Sequence, residues 1–260
     1  MDKSFDELFD DAIKADFSGW DFGFTKGRIE NEPLPWDYEQ IVDEYLPNSQ
    51  VMLDMGTGGG ELLEKILDHN SQRTPNRVDA TEGWAPNVPI AQKRLKKFGV
   101  KVIHISDPNK LKLDGVRSNR YDLVINRHEA FDPKELARIM LPNKVFITQQ
   151  VSGKNNNDIN HFFGDFNHDE RDWELDKAVA QLEKTGFKIQ RAENYIGVAK
   201  FKDVGALVYY LKAIPWQIPG FDVKKNKSKF LKVHEIIQKN GYFASHEERF
   251  LIIAKNKRSK

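Results

Sequence analysis

The chain has 260 residues, with 40 Lys and Arg against 39 Asp and Glu, a formal net charge of +1, 39% hydrophobic residues and no cysteine. A chain of this size buries an ordinary core as one large α/β domain or two smaller ones. Without Cys there is no disulfide framework, thiolate zinc site, iron–sulfur ligation or covalent mechanism through a Cys nucleophile.

The near-neutral sum hides a division. From Asp2 to Glu44 thirteen acids face four bases, and from Lys224 to Lys260 eleven bases face three acids. This asymmetry fits a nucleic-acid tail or two surface segments that attract each other, and the apolar residues interleaved in the basic stretch favour the second. The start, MDKSFDELFDDAIK, is acidic where a secretory leader needs a basic region. No apolar run approaches the roughly 18 residues of a membrane span. The expectation is a cytoplasmic protein with no membrane partner.

In chain order, Val51 to Met55 reads as a first strand, followed by a glycine cluster and a helix from Glu61 to His69 with Leu62, Leu63, Ile66 and Leu67 on one face. Arg77 to Thr81 is a second strand, and Val88 to Phe98 a helix closed by Gly99. Lys101 to Ser106 is a third strand, and Tyr121 to Asn126 a continuous apolar strand of the kind buried on both faces. Asp132 and Pro133 open a helix to Met140 as N-cap and first helical residue, and Lys144 to Val151 is a fifth strand. Gly153 to Asp172 reads as irregular, Asp172 to Thr185 as a helix, and Phe187 to Ala192 and Phe250 to Lys255 as the last two strands. Between those two lies an interruption too long for an ordinary connection, with helices near Val204 to Ala213 and Phe230 to Lys239. Strands alternating with helices predict an α/β, doubly wound, Rossmann-like sheet of seven strands. Residues 1–45 form an N-terminal helical cap, and 46–260 the main domain, with an insertion at 200–242 between strands six and seven.

The glycine loop Asp54-Met55-Gly56-Thr57-Gly58-Gly59-Gly60-Glu61 carries the most information. A dinucleotide fingerprint fails at its third glycine, where Glu61 stands, and Asp54 would repel a pyrophosphate. A P-loop is excluded because no Gly-Lys-Ser/Thr follows. A cationic ligand, with an ammonium and a sulfonium, suits a carboxylate at the strand end. Glu82, at the end of the second strand, stands where a carboxylate reaches ribose hydroxyls in a doubly wound sheet.

These residues resemble the class I S-adenosylmethionine-dependent methyltransferases, over about Val51 to Ala192 with Phe250 to Lys255 as last strand. Asp54 through Gly60 is similar to their first motif, and Glu82 matches the acidic ribose-binding position. Asp107 matches the contact to the adenine amino group, and Asn126 their fourth motif. The resemblance implies S-adenosyl-L-methionine as cofactor, with Asp54, Gly56, Thr57, Gly58, Gly60, Glu82, Gly83, Trp84, Asp107 and Asn126 around it. It also implies an antiparallel last strand beside strand six. Gly83 departs from the usual aliphatic residue after the acid and leaves adenine stacking to another side chain, for which Trp84 is a candidate; simple packing explains Trp84 equally well.

Residues after the fourth strand face the transferred methyl in such folds: Asn126-Arg127-His128-Glu129. His128 is the candidate general base, since a neutral imidazole fits proton removal near pH 7, or else it bonds a loop carbonyl. Glu129 orients that imidazole or, more simply, caps the following helix. Arg127 is a candidate for an anionic substrate or an N-terminal acid. His161, Asp165 and His168 lie in a candidate lid with no metal-ligating spacing. Trp36 and Trp216 are substrate candidates, with Phe17, Trp20, Phe22, Phe24 and Tyr38 as further N-terminal aromatics. The expected activity is methyl transfer to a small-molecule acceptor. The alternatives are an RNA methyltransferase, using Lys224, Lys225, Lys227 and Lys229 near Trp216, Phe221 and Phe230, and a non-catalytic S-adenosylmethionine-binding protein. The absence of an Asn/Asp-Pro-Pro-Tyr/Phe run after the fourth strand counts against amino methylation of nucleic acid, and the absence of Cys excludes pyrimidine C5 methylation by cysteine attack.

Overall fold

A computed structural model describes residues 3–17, 22–107, 111–164 and 172–257; Trp20, Asp165 and His168 lie outside the described residues. The elements in chain order are α1 Phe5–Lys14, β1 Ile29–Asn31, α2 Tyr38–Tyr45, β2 Val51–Met55, α3 Glu61–His69, β3 Arg77–Glu82, α4 Asn87–Leu95, β4 Lys101–His104, β5 Tyr121–Arg127 and α5 Pro133–Ile139. They continue with β6 Met140–Val151, α6 Asn157–Phe163, α7 Leu175–Lys184, β7 Phe187–Phe201, α8 Val204–Ala213, α9 Lys227–Asn240 and β8 Phe243–Asn256. Hydrogen bonding orders the strands β1-β7-β8-β6-β5-β2-β3-β4. The sheet therefore has eight strands where the sequence pattern predicts seven. The additional one, β1, is three residues long, too short for a period-two alternation to register. β8 runs antiparallel to β6 and lies between β6 and β7.

The chain divides into two compact units. The larger comprises Pro35–Val151, Glu174–Asn194 and Arg249–Lys260. Within it β3, β2, β5 and β6 pair in parallel, because each is followed by a crossover long enough to return the chain to the same sheet end. β5 is buried from Tyr121 to Asn126, as its unbroken apolar run requires. Buried Asp122 pins the start of β2, accepting from Ser49 Oγ at 2.7 Å and from the backbone N–H of Gln50 at 2.9 Å and Val51 at 3.1 Å. α3 buries Leu63, Ile66 and Leu67, one stripe of its surface. α5 starts where the sequence places it: the Asp132 side chain accepts from the Lys134 N–H at 2.8 Å, and Pro133 fills the first helical position.

The smaller unit comprises Met1–Leu34, Ser152–Trp173 and Tyr195–Glu248. It contains α6, inside the stretch that reads as irregular, and the two helices between β7 and β8. α1 begins with a capping box between Ser4 and Glu7 and buries Phe9 and Ala12. Phe9 meets Phe230 of α9 edge-on at 5.8 Å. Lys212 of α8 donates to the carbonyls of Ala12, Ile13 and Ala15, which the end of α1 leaves without helical partners. Asp6 pairs with Lys227 at 2.7 Å, and Arg28 is held by both oxygens of Asp203. The acidic start and the basic later segment thus meet inside one unit. Among the described residues no helix is long and apolar enough to cross a membrane.

Candidate active site

The parallel register brings the ends of β2, β3 and β5 level. Asp54 lies opposite Ala80 and Ile125, and Met55 opposite Thr81 and Asn126, so Glu82 and Arg127 follow at the same edge. The glycine loop leaves this edge. Thr81 holds it, accepting from the Thr57 N–H at its carbonyl (2.9 Å) and from the Gly56 N–H at its hydroxyl (3.3 Å). Arg94 of α4 holds the far side through the Gly59 carbonyl at 2.8 Å, Glu61 at 2.9 Å and Glu64 at 3.1 Å.

Glycine is required at Gly56 for two reasons. Its φ is +69°, and a Cβ there would stand 2.5 Å from Cβ of Glu129, so the Glu129 side chain lies directly against bare backbone. Gly60, at φ +86°, turns the chain into α3 with no side-chain cap.

Three carboxyl groups surround this loop. Asp54 is 6% exposed; burial pushes its pKa up to about 7, opposed by the Thr57 hydroxyl and reinforced by the negative charge of Glu82. Glu129 is pushed up to about 7 by burial and by Glu82. Glu82 is raised by burial, partly offset by the backbone N–H of Trp84, which donates to it at 2.7 Å, and by those of Gly58 and Gly83. The hydroxyl of Thr57 is buried and faces the Asp54 carboxyl. Buried carboxyls whose pKa values burial raises, beside bare main chain, fit a polar, cationic ligand that completes them. A small recess beside them is lined by Met55, Gly56, Thr81, Gly83, Ile105 and Glu129. A separate cleft, lined by Arg77, Asp79, Phe98 and Lys101, lies at the opposite end of β3.

After β5 the chain is fixed by a buried polar network. Asn126, fully buried, donates from Nδ2 to the Glu129 carbonyl at 3.0 Å and accepts at Oδ1 from Thr148 Oγ1 at 2.9 Å and Gln150 Nε2 at 2.6 Å. Its side chain shapes the loop with both of its functional ends. Tyr38 of α2 closes the other side: its hydroxyl donates to the Asn126 carbonyl at 3.0 Å and accepts from the Asn126 N–H at 3.1 Å. Glu129 takes neither of its expected roles, since Asp132 caps α5 and Gln149 holds the imidazole of His128 at 3.0 Å.

His128 has φ +63°, a left-handed conformation uncommon outside Gly, Asn and Asp, and its N–H donates to the Gln149 carbonyl at 2.9 Å. The residue as a whole is exposed to solvent. The protein packed about the ring nevertheless desolvates it, and Arg249 and Arg127 add positive charge, so its pKa lies well below the ordinary histidine value. Arg127 is exposed and makes no ion pair among the described residues. Trp36 is 6% exposed, and its indole N–H donates to Gln149 Oε1 at 2.9 Å. Trp84 is 66% exposed beside Glu82, and Asp107 is half-buried after β4. Trp216 belongs to the smaller unit, where its side chain is largely exposed. The polar end of β6, Thr148-Gln149-Gln150, organises the loop. Its signal in the sequence is the polar run Thr148-Gln149-Gln150 directly after the apolar Val145-Phe146-Ile147.

No family model and no curated protein sequence matches the chain. Solved structures do match. A protein assigned as a methyltransferase from Bacillus halodurans C-125 superposes with a TM-score of 0.58 at 16% identity, over 85% of this chain and 97% of the other. The YcgJ protein from Bacillus subtilis gives 0.55 at 14% identity, over 85% and 99%. A protein assigned as a sarcosine dimethylglycine methyltransferase from Galdieria sulphuraria gives 0.51 at 12%, over 85% and 84%. The chain thus shares the fold of structures assigned as methyltransferases, the architecture that the sequence resemblance implies.

Proposed function

We propose that the chain is an S-adenosylmethionine-dependent methyltransferase acting on a small-molecule acceptor. The observation that carries this reading is the pair of buried carboxylates, Asp54 and Glu82, at level ends of adjacent parallel strands with the glycine loop between them. S-adenosylmethionine would supply a methyl group on cationic sulfur, which an acceptor takes by in-line displacement. Asp54 and Glu129 set negative charge beside the loop, where an ammonium and a sulfonium gain most. Glu82 meets ribose hydroxyls, Asp107 the adenine amino group, and Trp84 stacks on the base. Gly56, Thr57, Gly58, Gly60 and Gly83 offer main chain and the Thr57 hydroxyl. Asn126 holds the loop that carries the acceptor-side residues Arg127 and His128.

A small acceptor is favoured over RNA because the basic stretch is engaged at home: Lys227 pairs with Asp6, and Lys229 donates to the Phe163 carbonyl at 2.6 Å. Calorimetry with S-adenosylmethionine, S-adenosylhomocysteine and NAD, followed by labelled-methyl transfer into a small-metabolite extract and into total RNA, tests the reading. Binding of NAD alone overturns it. Transfer into RNA alone replaces the acceptor class, and cofactor binding with no transfer leaves a binding protein.

A further inference from the structure

Trp36, Gln149 and His128 form a chain of hydrogen bonds whose direction is fixed by chemistry. An indole N–H donates and never accepts, so the Gln149 atom facing Trp36 Nε1 at 2.9 Å is the carbonyl oxygen Oε1. The other end of the same amide, Nε2, carries only donors, and it faces His128 Nε2 at 3.0 Å. That ring nitrogen therefore presents its lone pair, and in the neutral ring the proton sits on Nδ1. Protonating Nε2 would set two N–H groups against each other. Gln149 cannot turn away from this, because it is 2% exposed and flanked by the indole on one side and the imidazole on the other. Among the described residues Nδ1 has no protein partner.

We propose that the Trp36–Gln149–His128 chain locks His128 as the neutral Nδ1–H tautomer, making it a hydrogen-bond donor that positions the methyl acceptor rather than a base that deprotonates it. The accepting atom for this N–H is an oxygen lone pair on the acceptor, and the nucleophile arrives as an oxyanion or a neutral amine. It bonds the methyl carbon as the carbon–sulfur bond breaks to leave S-adenosylhomocysteine, and a proton that a methylated amine then sheds goes to water, not to His128. The charges around the ring act in the same sense: Arg127 on β5 and Arg249 on β8 both oppose an imidazolium. The donor role rests on the methyltransferase reading, whereas the tautomer does not.

Two-bond nitrogen–proton NMR correlation on the full chain labelled with 15N-histidine reads the tautomer directly. The expected pattern for His128 is a protonated Nδ1 and an unprotonated Nε2, unchanged from pH 8 down to pH 6. An Nε2–H tautomer, or an imidazolium at pH 7, overturns the lock. Gln149→Glu offers a carboxylate that accepts from both neighbours, so it should move the His128 proton to Nε2; an unmoved pattern also overturns the proposal. For the donor role, S-adenosylmethionine and a small-metabolite extract serve as probe. His128→Asn, which restores an N–H close to the Nδ1 position, should keep transfer within about threefold of the unmodified protein, while His128→Ala loses at least tenfold. Equal loss in both variants makes His128 a base and overturns the donor role. Absence of transfer by the unmodified protein defeats the methyltransferase reading and the donor role with it, and the NMR result still decides the lock.

Discussion

Replacing Asp54 by Asn separates what the carboxylate costs the fold from what it does for a ligand. In the folded chain this carboxyl has a pKa of about 7 in place of 3.8. Between those values the folded state keeps a proton that the unfolded chain has already released. Stability contributed at this position therefore falls as pH rises from about 4 to about 7 and is level above. The rise of about three in pKa sets a ceiling of about 4 kcal/mol. Water entry and local adjustment raise the effective dielectric, so roughly 1–2 kcal/mol is expected. Asn keeps the shape without the charge. Ligand-free Asp54→Asn should thus be more stable than the unmodified protein by that amount at pH 8, with the gap closing toward pH 4.5. Urea unfolding at both pH values measures it, and thermal melts should differ by about 2–4 °C per kcal/mol. In calorimetry the same variant should bind S-adenosylmethionine at least tenfold more weakly. An Asn variant that is equally or less stable at pH 8 would refute the account of a buried, costly carboxyl.

Binding of S-adenosylmethionine near pH 7 should release about one proton, because Asp54 and Glu129, each about half protonated there, ionise against a cation. Titration in buffers of differing ionisation enthalpy reads this number, and affinity should climb from pH 6 to pH 8; a pH-independent affinity speaks against it. Gly56→Ala should abolish cofactor binding through both φ and the collision with Glu129. Adding Glu129→Gly, which removes the Cβ that the new methyl would meet at 2.5 Å, relieves only the collision, so the double variant should regain part of the lost stability while binding stays impaired. Tyr38→Phe removes both hydrogen bonds to the Asn126 backbone and should cost about 1–3 kcal/mol in urea unfolding. A neutral result would mean that water replaces the hydroxyl.

The parallel half of the sheet was legible because its signals are local. The helix of Leu63, Ile66 and Leu67, the Asp132-Pro133 start and the apolar run of β5 each follow from a few consecutive residues, and the level ends of β2 and β3 follow from them. What stayed hidden depends on partners distant in sequence. Glu129 packs against Gly56, a neighbour created by the parallel pairing of β2 with β5. Gln149 reads as an ordinary strand residue until the register places it opposite Arg127. β1 and α6 were missed because three residues, or seven with two asparagines among them, carry too little periodicity.

The packing of α1 has a consequence for how the chain is made. Phe9 finds Phe230 about 220 residues later, and Lys212, which completes the carbonyls of α1, is nearly as distant. During synthesis the apolar stripe of α1 therefore waits, without its final partners, until α8 and α9 have left the ribosome, whereas β2 to β5 can pair as soon as they emerge. The smaller unit cannot close until α9 is made, and α1 depends on protection from aggregation while it waits.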